Sequence, residues 1–139
     1  MVGINVFVTT ISAERLWEID RPLPSQVQIG VNINLVSFDQ KSEQSVEALF
    51  LFTVSYVPSI AQINIRGKAH VAGEPKEITQ MVEEHKQQKP PIPVIQAISS
   101  AAIAEAILIS KTLGVPPPLP PLPPPGQDAQ KPSPTRYTA

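Results

Sequence analysis

Residues 46–72 have the sequence VEALFLFTVSYVPSIAQINIRGKAHVA, and this stretch decides the fold class. Apolar and polar side chains alternate on both sides of a Pro-Ser pair, which predicts one strand from Val46 to Val57 and another from Ala61 to Ala72. The short connection between them predicts an antiparallel β-hairpin. Leu49 and Leu51 also make the second face of the first strand apolar, which is typical of a central strand or of one covered by another layer.

Two further strands are predicted upstream of this hairpin. Val27 to Leu35 places five apolar residues at alternate positions, and Ile4 to Ile11 is rich in β-branched residues. A proline-marked link that contains Trp17 separates the two, and a polar loop at residues 39–44 follows the second. Because most of the connections are short, the pattern predicts a four-stranded antiparallel sheet in meander order.

Two helices are predicted after the sheet. A short amphipathic helix begins at Pro75, and a long helix runs from Pro93 to about Leu113, with Gly114 as its C-cap. The fold class is therefore α+β, with both helices packed on one face of the sheet. The long helix carries Glu105 near its centre, so a buried helix of a water-soluble domain is favoured over a membrane span.

The long helix is apolar on nearly all sides and rich in alanine. Such a helix is buried on more than one side, and in so small a domain one side is predicted to contact another subunit. The predicted contacts of this oligomer interface are Ile98, Ala102 and Ile109.

The C-terminal part of the chain differs in composition from the rest. Most of the 17 prolines lie at Pro116 or beyond, which predicts a folded domain over residues 1–115 and a proline-rich, largely disordered tail over residues 116–139. Residues 116–125 are expected to form polyproline II helix. Such a run is either a ligand for an aromatic groove in a partner domain or a stiff linker or tail, and a further alternative is that its two leucines pack back on the domain.

Composition argues against several classes of function. The net charge is −1 without a basic run, so neither nucleic acid nor an anionic membrane surface is an expected partner. The chain has no cysteine, and two histidines, His70 and His85, are too few for a histidine-rich metal centre. Glu83 and Glu84 are adjacent on a helix and do not face each other. We expect a non-enzyme without a metal or cofactor, and residues 1–5, which lack the features of a signal peptide, indicate a cytoplasmic location.

The order of elements between about Ile4 and Leu122 resembles the SecB family of export chaperones, and in particular its divergent SecB-like members. The similar stretches are Val31 to Leu35, Val46 to Gly73, and Ile95 to Leu113 with the Gly114-Val115-Pro116-Pro117 exit. The chain departs from the bacterial pattern in its polyproline run, in its weak acidic character and in having no C-terminal Cys/His zinc segment. Docking to the SecA motor is therefore not implied, although the translocation machinery stays a candidate partner.

The resemblance implies an ATP-independent holdase that forms a homo-dimer or tetramer and binds unfolded or precursor polypeptides in apolar grooves. By family position, the implied client-binding residues are Leu16, Trp17, Ile19, Leu23, Leu119 and Leu122. One alternative is a non-enzymatic adaptor that presents its polyproline tail to a proline-motif-binding domain. A third interpretation is a subunit of a viral or phage assembly.

Overall fold

The structure, a computed structural model, describes residues 2–118. Four strands precede two helices along the chain: β1 (Gly3–Arg15), β2 (Gln28–Ser42), β3 (Ser45–Val57), β4 (Ala61–Ala72), α1 (Pro75–Lys86) and α2 (Ile92–Leu113). The strands form one antiparallel sheet and the helices pack on it, so the predicted α+β class is confirmed.

The order of strands in the sheet is β1-β4-β3-β2. The run from β2 through β3 to β4 is the predicted meander, with β3 and β4 as the central strands. β1, however, pairs with β4 and not with β2, which makes the whole sheet a Greek key. The prediction of a four-strand meander is corrected at this point, because the link over residues 16–27 is long enough to cross two strands.

Each edge strand contains a register shift. β2 contains two, of which the first falls between Leu35 and Ser37 and places Phe38 opposite Ala48, and the second falls between Gln40 and Ser42. The first bulge leaves Val36 without a partner and moves the alternation by one residue, so that Phe38 faces the core beyond it. β2 therefore continues to Ser42, where the sequence predicted a loop from residue 39 onward.

The core lies between the sheet and the helices. On this side of the sheet, the helix face, alternate residues of the central strands are buried, and each large one contributes about 1.5–3 kcal/mol through removal from water. They are Val46, Ala48, Phe50, Phe52, Val54, Tyr56, Ile63, Ile65, Ala69 and Val71. The opposite side, the open face, is uncovered in the single chain: Phe7 is 53% exposed and Leu49 is 42% exposed.

α2 packs mainly on β1, β4 and β3. Its buried stripe has a spacing of four residues and consists of Val94, Ile98, Ala102, Ala106 and Ser110. The helix ends at Gly114, which adopts the left-handed conformation (φ 70°) predicted for its C-cap. α2 is long and apolar enough to span a membrane by length and composition alone, but one full stripe of it is covered by the sheet.

α1 lies across one end of the sheet. Pro75 occupies its first turn, and the backbone N–H of Glu74 donates to Oε1 of Glu77 at 3.3 Å, which begins the helix. Ile78 is fully buried, and the ring of His85 contacts the ring of Phe38 with centroids 4.6 Å apart. This contact joins α1 to the far end of β2.

Candidate functional site

The surface of β2 is one of two incompletely covered parts of the helix face, the other being at Ile11 of β1, which is 47% exposed. Because α2 lies over the other three strands, the apolar stripe of β2 is only half covered: Ile29, Ile33 and Leu35 are half-buried, and Val31 is 44% exposed. The outer edge of β2 also has no strand partner among residues 2–118. An apolar surface and a free row of backbone N–H and C=O groups therefore lie side by side.

A cleft of about 420 Å³ lies beside Ile33 and Leu35 of this surface. Its apolar lining is formed by β2, by the connection between the helices and by the start of α2, and comprises Ile33, Leu35, Pro90, Pro91 and Ile95. Asn34, His85, Gln88 and Lys89 add polar groups. We call the cleft together with Ile29 and Val31 the β2 groove.

The link between β1 and β2 leads into one end of this groove. The indole Nε1 of Trp17 donates to the carbonyl oxygen of Pro22 at 3.1 Å, and the guanidinium of Arg21 lies 4.4 Å from the centre of the indole ring. This cation–π contact and hydrogen bond hold the link in a defined shape. Trp17 and Leu23 are half-buried against the core, whereas Leu16 is 48% and Ile19 is 87% exposed.

Arg15 joins the link to the end of α2. Its Nη1 donates to the carbonyl oxygens of Leu113 and Gly114 at 2.8 and 3.1 Å. Its Nε donates to the carbonyl oxygen of Trp17 at 2.8 Å. One guanidinium thus satisfies carbonyl groups that the helix end leaves without partners, and it fixes the start of the link beside them.

The chain leaves α2 in a segment that is held against the sheet. The phenol of Tyr56 donates to the carbonyl oxygen of Pro116 at 2.7 Å. Val115 is 6% exposed, and Pro118 is fully buried. Burial raises the pKa of the Tyr56 phenol above its usual value of 10.0, so the phenol stays a donor over the whole neutral range.

The predicted site residues divide into three groups. Leu16, Trp17, Ile19 and Leu23 all lie in the link at the end of the β2 groove. Leu119 and Leu122 lie outside the described residues. Ile109 is half-buried, whereas Ile98 and Ala102 are fully buried against the sheet of their own subunit.

The burial of Ile98 and Ala102 corrects the predicted oligomer interface, because neither side chain has surface left for a second copy. The side of α2 that faces away from the sheet carries Ser100, Ala104 and Leu108 instead, and Leu108 is 61% exposed.

Sequence reasoning did not assign the stripe of β2 to the site. Its alternation was evident, but alternation alone indicates only which residues share a face. It does not indicate whether a helix covers that face, and here the position of α2 leaves β2 uncovered.

Among residues 2–118, no group of three or more His, Asp or Glu residues is placed to hold a metal ion. His70 lies in β4 opposite Glu47 on the open face, whereas His85 of α1 contacts Phe38 on the helix face. The ion pair between Lys68 and Glu47, at 3.8 Å, is partly exposed and is of the kind that contributes at most about 1 kcal/mol.

Comparison with solved structures decides the fold family. The structure superposes on the Mycobacterium tuberculosis SecB-like chaperone Rv1957 with a TM-score of 0.61, covering 88% of this chain and 90% of that one, at 10% sequence identity. The chain has a SecB-like fold. The mycobacterial structure is a complex with a ChAD peptide from the Rv1956 HigA1 antitoxin. Neither a family model nor a curated protein sequence matches the chain.

The structural match tests the resemblance that the sequence predicted. The predicted resemblance is confirmed at the level of the fold. At 10% identity the likeness concerns the path of the backbone, so the side chains of the β2 groove have to be interpreted on their own chemistry.

Proposed function

We propose that this protein is an ATP-independent holdase that binds non-native polypeptides in extended form along the β2 groove. The observation that carries the proposal is the position of Val31, an exposed apolar residue on a strand whose outer edge is unpaired. An extended client can place alternate apolar side chains on the groove while its backbone bonds to the edge of β2.

The chemistry of the groove suits clients of many sequences. Burial of apolar side chains contributes about 25 cal/mol per Å² whatever their order along the client, and backbone hydrogen bonds are independent of sequence. The other face of β2 carries Gln28, Asn32 and Asn34, which are polar but uncharged. No charge in this strand up to Leu35 selects against acidic or basic clients, and this suits a binder of unfolded or precursor chains.

The link supplies a second apolar surface at one end of the groove. Leu16 and Ile19 are exposed there, while Trp17 is fixed by Arg21 and Pro22. In the proposal, a client that follows β2 continues over Leu16 and Ile19. The peptide bound in the mycobacterial SecB-like complex supports a polypeptide as the class of ligand.

We further propose that two copies associate through the outward side of α2. Ala97, Ala101 and Ala104 are small enough to let another backbone approach closely, and Leu108 offers an exposed apolar side chain. Such a homo-oligomer would cover the part of α2 that the sheet leaves open. Its mass in solution by light scattering tests this point, and a strict monomer would contradict it.

The adaptor alternative receives less support from the described residues. Two of the first three prolines of the tail are engaged by the domain: the carbonyl oxygen of Pro116 accepts the bond from Tyr56, and Pro118 is fully buried. Pro117 is exposed, so a partner that binds the proline run would find one isolated exposed proline before residue 119.

The test of the proposed function is suppression of aggregation of a chemically unfolded client at near-stoichiometric amounts. Val31→Asp places a charge on the groove, and Leu49→Asp is a matched control because Leu49 is exposed to a similar degree, 42% against 44%, on the opposite face. We expect Val31→Asp to weaken client binding at least roughly tenfold, or about 1.4 kcal/mol, and Leu49→Asp to leave it near the wild-type value. Equal activity of both variants, or no suppression by the wild type, would contradict the proposal.

A further inference from the structure

The proline tail starts near Ile29, at one end of the β2 groove. Tyr56 is paired with Ile29 across the β2–β3 ladder, and its phenol holds Pro116. Ile29 is the first apolar residue of the groove floor. Pro118, two residues after the carbonyl that Tyr56 holds, is fully buried.

We propose that residues 119–125 of the same chain occupy the β2 groove when no client is bound, and that clients displace them. This inference rests on the proposed function, because it assigns a regulator to the same groove. The tail would act as a built-in competitor that keeps an exposed apolar strand edge covered.

The dimensions of the tail and the groove agree. The floor from Ile29 to Leu35 spans six residue steps of about 3.3 Å, or roughly 20 Å. In polyproline II conformation, the six steps of about 3.1 Å from Leu119 to Pro125 would span roughly 19 Å. Leu119 and Leu122 are three residues apart, which is one turn of that helix, so both leucines lie on one side of it.

The composition of the tail explains why a client could displace it. Residues 120, 121 and 123–125 are prolines, which have no backbone N–H and cannot donate to the free carbonyl groups of the β2 edge. A client without prolines can complete the ladder in both directions. The tail can therefore cover the apolar floor without becoming a strand, and the client forms hydrogen bonds that the tail cannot form.

Covering the edge has a second consequence. An unpaired apolar strand edge is a template for pairing with another copy of the chain. A segment that is stiff, apolar and unable to continue a sheet blocks that pairing and adds no new edge. The tail would thus protect the chaperone from aggregation of its own subunits.

The experiment compares the full-length chain with a full-length variant that carries Leu119→Ser and Leu122→Ser. Tyr137→Ser, which removes the large side chain of the tail beyond the proline run, is the matched control. The probe is a fluorescent, unstructured peptide with alternating apolar residues, and the readout is its affinity by anisotropy. We expect the double variant to bind the probe roughly fivefold more tightly and the control to match the wild type. Unchanged or weaker binding by the double variant would overturn the proposal.

A second measurement separates this proposal from the proposed function. A synthetic peptide of residues 117–126 is titrated into the double variant, with the fluorescence of Trp17, the single tryptophan of the chain, as readout. We expect a saturable change that disappears when Val31→Asp is added. Absence of any change would overturn tail docking even if the probe binds. Binding of the tail peptide without binding of the probe would instead contradict the holdase function and leave tail docking in place.

Discussion

The phenol of Tyr56 donates a 2.7 Å hydrogen bond to the carbonyl oxygen of Pro116, sixty residues further along the chain. This bond fixes the segment after α2 on the helix face of β3, directly beside Ile29 of β2. The start of the proline tail is consequently a structured part of the domain. The relationship links the core of the fold to the groove that we propose binds clients.

Removing this hydrogen bond is the first prediction. Tyr56→Phe keeps the buried ring but leaves the carbonyl oxygen of Pro116 without its donor, so we expect a loss of about 1 kcal/mol in the free energy of unfolding. Urea denaturation measures the change. Tyr137→Phe removes a hydroxyl beyond the described residues and serves as control, and equal stability of the two variants would count against an anchored exit segment.

The second prediction concerns pH. Burial raises the pKa of Tyr56 above 10.0, which means that the folded state favours the protonated phenol. The stabilisation is fully present below the unfolded-state value of 10.0 and is lost as pH rises through the higher folded-state pKa. We expect the wild type to lose more stability than Tyr56→Phe between neutral pH and pH values above 10. Parallel alkaline stability curves for the two proteins would refute this.

The third prediction concerns the guanidinium of Arg15. A lysine in its place is positively charged but cannot reach the carbonyl oxygens of Leu113, Gly114 and Trp17 with one planar group. We expect Arg15→Lys to lower the free energy of unfolding by about 1–2 kcal/mol. Arg21→Lys, which keeps a cation near the Trp17 ring, should cost less than about 0.5 kcal/mol. Chemical denaturation of both variants gives the comparison. A smaller loss of stability for Arg15→Lys than for Arg21→Lys would contradict the stabilising role of the Arg15 hydrogen bonds.

The fourth prediction concerns Gly67 in β4. A Cβ at this position would overlap the carbonyl oxygen of Phe7, because β1 approaches closely beside its register shift after Val8. Gly67→Ala should therefore destabilise the protein by about 1–3 kcal/mol and weaken the pairing of β1 with β4. Gly3→Ala is the matched control, since nothing lies within 4 Å of a Cβ added there. Thermal unfolding with far-UV circular dichroism tests both, and a tolerated Gly67→Ala would show that β1 can move away.

Local patterns determined which parts of the fold could be predicted. The strand over Ala61–Ala72 and the end of α2 at Leu113 agree with the prediction, because alternation, glycine and proline act within a few residues. The pairing of β1 with β4 could not be predicted in the same way. It joins Ile4 to Val71 and Arg15 to Ala61, and nothing in the periodicity of one strand specifies a partner that far along the chain.

The candidate site also combines features that local sequence patterns predict with features that only the packing determines. Trp17 and Leu23 were expected near a groove because of the family resemblance, and the structure places both in the link. Val31 was expected on the apolar face of a strand, but its exposure depends on where α2 crosses the sheet. Conversely, Ile98 and Ala102 were assigned to an interface because α2 is apolar all round, and only the packing distinguishes the side that is already covered.

In the proposed function, an unfolded polypeptide lies along β2. Hydrogen exchange of the full-length protein, with and without a permanently unfolded client, tests it most directly. We expect the client to slow exchange of the amides of residues 28–35, whose outer edge is unpaired in the described structure, while exchange in the central strand β4 changes little. A client that binds and leaves exchange in β2 unchanged, or slows it only at residues of the open face, would contradict binding along β2.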